Sequence, residues 1–221
     1  MDTNARRDDL RTTLHRDGVV LAATLLLPAA KAPPVVVFVH GLLSGKDSPR
    51  NVVIAERLRD IGIASLLFDL SGHGESSPDP RGDDIDAYCD DLEAAYNWAK
   101  SRAEIDASRI AIAGSSVGGV VVLEALRSGR VSPASLVLRA PPIGSHDLED
   151  VAVPTLVLVG SLDPLSSTLE AIAHSSHVTV VTIPGASHLF EETGTLERVL
   201  WETVEWFRRT LLAENTQEAR R

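Results

Sequence analysis

Ile110-Ala111-Ile112-Ala113-Gly114-Ser115-Ser116-Val117-Gly118-Gly119-Val120-Val121-Val122-Leu123-Glu124-Ala125-Leu126 is the stretch from which this fold is read. Its first four residues form a short apolar run of strand character. Its last seven carry an apolar helical pattern that continues to about residue 127. Between them lies a turn with Ser116 at its apex. Gly114 and Gly118 stand two positions to either side. A turn this sharp strains its apex residue and brings the neighbours at ±2 too close for a side chain. Ser115 does not meet that condition, because Val117 stands two positions after it.

The same alternation extends in both directions. Residues 10–15 and 19–27 flank the turn Arg16-Asp17-Gly18 and read as an antiparallel hairpin. Strands are expected over 35–39, 63–68, 110–113, 136–138, 155–159 and 178–183. Helices are expected over 49–60, 84–103, 165–173 and 196–212, the last with Leu200, Val204, Phe207 and Leu211 inward. Continuous apolar strands between amphipathic helices mean a mostly parallel twisted sheet of about eight strands, covered on both faces, in an α/β domain. One domain is expected over 1–213, with a polar tail at 214–221 that frays.

Composition narrows the function. The formal charge of −10 opposes nucleic acid, which needs a basic face, and gives no attraction to an anionic membrane surface. The lone cysteine, Cys89, allows no internal disulfide, which fits a reducing, cytoplasmic location. Residues 19–27 have the outline of a signal peptide, with arginines before them and Ala30-Lys31-Ala32 after. Asp8, Asp9 and Asp17 in the supposed basic region favour a strand instead. No run approaches the ~20 apolar residues of a membrane span.

In an open parallel sheet, ligands bind beyond the carboxyl ends of the strands. The segments there are His40-Gly41-Leu42-Leu43-Ser44, then Asp69-Leu70-Ser71-Gly72-His73-Gly74-Glu75-Ser76, then the Ser116 turn. After them come Gly160-Ser161-Leu162-Asp163-Pro164 and Pro184-Gly185-Ala186-Ser187-His188-Leu189-Phe190. A serine, a carboxylate and a histidine thus follow one another at three different strand ends.

On these motifs, and over essentially its whole length, the chain resembles the α/β-hydrolase superfamily. It looks most like small bacterial serine hydrolases of the dienelactone-hydrolase-like type. Dienelactone hydrolases proper carry a cysteine where this chain has Ser116. The resemblance implies Ser116 as nucleophile, His188 as general base and then acid, and Asp163 as the group that fixes the imidazole. It assigns the oxyanion hole to the backbone N–H groups of Leu42 and Val117. It implies no cofactor and no metal, and a small-molecule acyl substrate. Acyl transfer or cleavage of short peptides on the same triad are alternatives, as is a binding or scaffold module on the same fold. The oligomeric state is not legible.

Other residues read as structural. His40 and His73 resemble loop residues that shape turns. His174 and His177 have metal-like spacing, but no carboxylate or cysteine joins them. Asp163 can also cap the helix after it, with Pro164 at the first helical position. Asp147, Glu149 and Asp150 offer an alternative acid. Only residues 140–152 connect the sixth and seventh strands, where many relatives insert a cap. The site is therefore expected to be open and shallow, walled by Leu42, Leu43, Pro142, Ile143 and Phe190.

Overall fold

A computed structural model describes residues 9–166 and 176–212. The strands are β1 (Leu10–Arg16), β2 (Val19–Leu26), β3 (Val35–Val39), β4 (Ala64–Phe68), β5 (Ile110–Ser115), β6 (Ser135–Arg139), β7 (Thr155–Gly160) and β8 (Val178–Ile183). The helices are α1 (Pro49–Asp60), α2 (Ile85–Lys100), α3 (Val117–Arg127) and α4 (Thr195–Leu211), with a 3₁₀ turn at Ser145–Leu148. The expected helix at 165–173 and the tail at 214–221 fall largely or wholly outside the described residues. Among those residues no helix is long and apolar enough to cross a membrane.

The eight strands form one sheet in the order β1-β2-β4-β3-β5-β6-β7-β8. β1 pairs antiparallel with β2, and β2 antiparallel with β4; all other pairings are parallel. The chain leaves β3 for β4 on one side, then crosses back to β5 on the other. The carboxyl ends of β3 and β5 therefore flank the point where the winding reverses, which is where such sheets open a crevice.

Strand residues alternate between two apolar layers. Val35, Val37, Val39, Ile110, Ile112, Leu136 and Leu138 face α2 and α3. Val36, Phe38, Ala111, Ala113, Val137 and Leu158 face α1 and α4. Both faces are covered, so β3 and β4 are buried throughout their lengths. The buried stripe of α4 is Val199, Thr203, Trp206, Phe207 and Leu211. It is turned by about one residue from the expected one, leaving Leu200 and Val204 half-buried at its edge. Trp206 explains the offset. Its indole N–H donates to Ser135 Oγ on β6 at 2.9 Å, and that bond draws its position inward.

Between β6 and β7 no cap is inserted. The connection makes the 3₁₀ turn and tucks Ile143, Leu148 and Val151 into the α2/α3 layer.

Candidate active site

β5 runs into a turn that few residues could occupy. Ser116 has φ 51° and ψ −124°, a region that side-chain-bearing residues avoid. Its N–H donates to Arg139 O at 2.8 Å, and its carbonyl accepts from Gly119 N at 2.8 Å. A Cβ placed on Gly118 would lie 2.4 Å from Val39 O, and one on Gly114 would lie 2.8 Å from Gly118 O. Both glycines are thus required by close approach of backbone to backbone. The turn lifts Ser116 Oγ to the carboxyl edge of the sheet.

The loops after β7 and β8 arrive at the same edge tied to each other. Ser161 N donates to Ile183 O at 3.0 Å and Leu162 N to Ala186 O at 2.9 Å. Gly185 N donates to Ser161 Oγ at 2.8 Å. Asp163, buried, comes from the first loop and His188, half-buried, from the second. His188 Nδ1–H donates to Asp163 Oδ2 at 2.7 Å. That bond leaves Nε2 as the acceptor, and Ser116 Oγ–H donates to it at 3.1 Å. Asp163 Oδ1 accepts from Leu165 N at 3.0 Å, so the same carboxylate also caps the turn that follows. A serine hydroxyl aimed at an imidazole that is itself held by a buried carboxylate is an arrangement that can serve nucleophilic catalysis.

The loop after β3 forms the facing side. A Cβ on Gly41 would come within 3.2 Å of Ser116 Cβ, so the Gly41-Leu42 backbone lies against the serine. Val117 opens α3, and its N–H has no partner one turn back in the helix. His40 braces this loop from below. Its Nδ1–H donates to Gly41 O at 2.8 Å, and its Nε2 accepts from Leu70 N at 2.9 Å. Burial holds its pKa below the usual value, so it stays a neutral strut. Asp69 ties the loop after β3 to the loop after β4, accepting from Lys46 N at 2.6 Å and Glu75 N at 3.0 Å.

The expected walls divide. Leu43, at φ 57°, is fully exposed, Leu42 is half-exposed and Pro142 is exposed. Ile143 and Phe190 are buried, the first in the α2/α3 layer and the second in the α1/α4 layer. These two support the site from within the core and give little surface to a wall. Asp147 is turned elsewhere: its Oδ2 accepts from Gly144 N at 2.8 Å and it faces Arg127 at 3.5 Å. Cys89 is buried in α2, where burial pushes its thiol up to about 11. Among the described residues no group of three or more His, Cys, Asp or Glu could hold a metal ion.

One residue escaped the sequence reading. Arg139 ends β6, beside Ser115 in register, and is buried. Burial, with Arg50 nearby, pushes its guanidinium down to about 10, still a cation at neutral pH. An arginine directly after a buried apolar strand, at a ligand-binding sheet edge, was the available signal.

Comparison with known proteins places this geometry in context. A family model described as serine aminopeptidase, S33, matches residues 30–149. A putative phosphoribosyl transferase of Mycobacterium tuberculosis is 33% identical over 194 residues, covering 86% of this chain and 44% of that protein. The chain spans less than half the length of this and other curated relatives that it matches. Dienelactone hydrolase from Anabaena variabilis superposes with a TM-score of 0.79 at 28% identity, over 92% of this chain and 98% of that one. XC6422 from Xanthomonas campestris, described as an α/β serine hydrolase without lid, superposes with a TM-score of 0.71 at 26% identity. The match covers 93% of this chain and 94% of that one.

Proposed function

We propose that this chain, which belongs to the serine aminopeptidase S33 family of the α/β-hydrolase superfamily, is a serine hydrolase that cleaves an ester or thioester of a small acyl compound. The observation that carries the reading is the unbroken hydrogen-bonded path from Ser116 through His188 to Asp163. His188 takes the Ser116 proton as Oγ attacks the acyl carbon. The tetrahedral oxyanion is held by Leu42 N–H and Val117 N–H, and the acyl-enzyme forms as His188 protonates the leaving group. Water then repeats the cycle. These steps need no cofactor.

The family description raises the removal of amino-terminal residues from peptides as a second reading. A free ammonium would have to sit near an acidic group by the serine. Among the described residues, apart from Asp163, whose carboxylate is taken up by His188 and Leu165, the charged side chain buried on the strand beside this elbow is Arg139, a cation. Ester cleavage is the better supported reading.

The test is labelling by a fluorophosphonate, with Ser116→Ala as blank, followed by rates on p-nitrophenyl esters and aminoacyl p-nitroanilides. Stoichiometric labelling of the wild type alone and turnover of the esters are expected. Each buried methylene contributes ~0.8 kcal/mol. The short connection over 140–154 roofs few of them, so kcat/KM should peak at acyl chains of about two to six carbons. No labelling, or a rate that climbs to twelve carbons or more, contradicts this reading of the site.

A further inference from the structure

The last helix carries more apolar surface than the sheet covers. Beside its buried stripe, at helical spacing, stand Leu200 and Val204, both half-buried, and Trp201, 56% exposed. The Trp206–Ser135 hydrogen bond holds this rotation, because turning Leu200 and Val204 inward would draw Trp206 away from β6. The end of α1 lies alongside. The two helices bound a surface groove of about 500 Å³, lined by Arg57, Ile61, Glu197, Leu200, Trp201 and Val204 among others. α1 leaves the sheet at the carboxyl end of β3 and returns the chain to the start of β4, where Ala64 N donates to Pro34 O at 2.8 Å. The groove therefore lies toward the amino-terminal edge of the sheet, away from Ser116.

Trp201 is held in place before any partner arrives. The Arg198 guanidinium lies over its ring, 4.9 Å from the centroid, and is tied in turn to Glu202 at 2.5 Å. An exposed, pre-oriented indole continuous with other apolar side chains has the character of an interface anchor. The charges at the rim are left open. Arg57 on α1 and Glu197 on α4 are both exposed, and among the described residues neither makes a hydrogen bond or an ion pair. Glu205, further along α4, is taken by Arg208 at 2.8 Å. One cation and one anion thus stand unpaired on the two walls of an apolar strip.

That pattern is complementary to itself. In a twofold contact, residue i of one copy meets residue j of the other, and j meets i. An axis through the strip lays the apolar side chains of two copies together and carries each Arg57 across to the Glu197 of the other copy. The overall charge selects the same place. At −10 per chain, two copies repel over most of their surface, and this strip, with one charge of each sign, adds nothing to that repulsion. We propose that the α1/α4 face is the contact between two copies of this chain, a twofold dimer centred on Trp201, with Arg57 of each copy paired to Glu197 of the other.

The test is sedimentation velocity on the full chain over a concentration series. A concentration-dependent dimer is expected, with a micromolar Kd because the strip is small beside a standard interface of about 800 Å² per partner. Trp201→Gln should weaken it by roughly tenfold or more. Arg57→Glu and Glu197→Arg should each do the same, since each sets like charges against one another on both sides of the axis. Mixed in equal amounts, these two single variants should form a heterodimer, because each supplies the charge that the other lacks. The double variant should return close to wild type. All three positions are exposed, and circular dichroism checks that each variant keeps the wild-type helix content. A wild type that stays monomeric leaves the face to a partner of different sequence and overturns the proposal. So does a dimer that Trp201→Gln leaves unchanged, which places the contact elsewhere. A mixture of the two charge variants that stays monomeric removes the Arg57–Glu197 pairing, and the proposal with it.

Discussion

Two buried polar clusters in this molecule are built in opposite ways. Under the hairpin, Arg16 donates from Nε to Asp91 at 2.6 Å, and from Nη2 to Asp79 at 2.8 Å and to Ala87 O at 3.0 Å. Asp91 also accepts from Ser71 N and Ser71 Oγ, both at 2.8 Å. Charge meets opposite charge there, and the cluster clamps β1, α2 and the loop after β4 together. At the carboxyl edge the groups are left unfinished. The path from Asp163 ends on the hydroxyl of half-buried Ser116, and among the described residues Arg139 has one neutral partner, Asn51 Oδ1, and no acceptor for Nε. Of the six non-glycine residues with positive φ among those described, Leu43, Ser116, Ala140 and Phe190 lie on the loops of this edge. Backbone strain gathers where chemistry is proposed, and matched charge where the hairpin is anchored.

The strongest way to break that contrast is Asp163→Asn. With its oxygen kept by Leu165 N–H, the amide presents its NH2 to Nδ1 and donates there, which favours the tautomer with the proton on Nε2, so kcat should fall by roughly 10⁴. Stability should change little by comparison. Steady-state kinetics with a denaturant curve on the same sample checks both. A variant with near-normal kcat would move the acid role to Asp147, Glu149 or Asp150, although the structure turns Asp147 toward Gly144 and Arg127.

Asp91→Ala is the mirror experiment. It leaves a buried guanidinium facing Asp79 alone and removes the acceptor of Ser71. Breaking a buried pair by removing one partner costs about 3–5 kcal/mol. The denaturation midpoint should drop accordingly, while kcat per folded molecule stays within a small factor of wild type. A large loss of kcat with an unmoved midpoint would reverse the assignment of the two clusters.

These clusters were not equally legible in the sequence. The turn at Ser116 was, because its glycine spacing is local in the chain even though Gly118 is pressed against Val39 O on β3, and so was the order of Ser116, Asp163 and His188. The eight strands and their layers followed from apolar runs. The stripe of α4 was read one residue off, because the Trp206–Ser135 hydrogen bond is invisible to a hydrophobicity pattern. Ile143 and Phe190 were expected in the wall. Where side chains point beyond a strand end depends on loop dihedrals such as φ 54° at Phe190, which no periodicity predicts. Arg139 went unread for a related reason. Its significance lies in what α1 fails to place beside it.

The smallest expected effect is the most telling. Arg139→Met removes as deeply buried a cation as Arg16, yet the two should not behave alike. Methionine matches the length of the buried stem and keeps its apolar contacts in the α1/α4 layer. The desolvation of an unpaired guanidinium disappears with the charge, which stabilises the fold. Asn51 Oδ1 is left without its donor, which costs about 1–3 kcal/mol. These terms oppose each other, and the net change should lie within about 1 kcal/mol of zero. Arg139→Met combined with Asn51→Leu removes the orphaned amide and should be at least as stable as the single variant. Urea midpoints at constant slope decide the matter. A loss of 3 kcal/mol or more in Arg139→Met, comparable to that expected at Asp91, would make the carboxyl-edge cation as structural as the one under the hairpin.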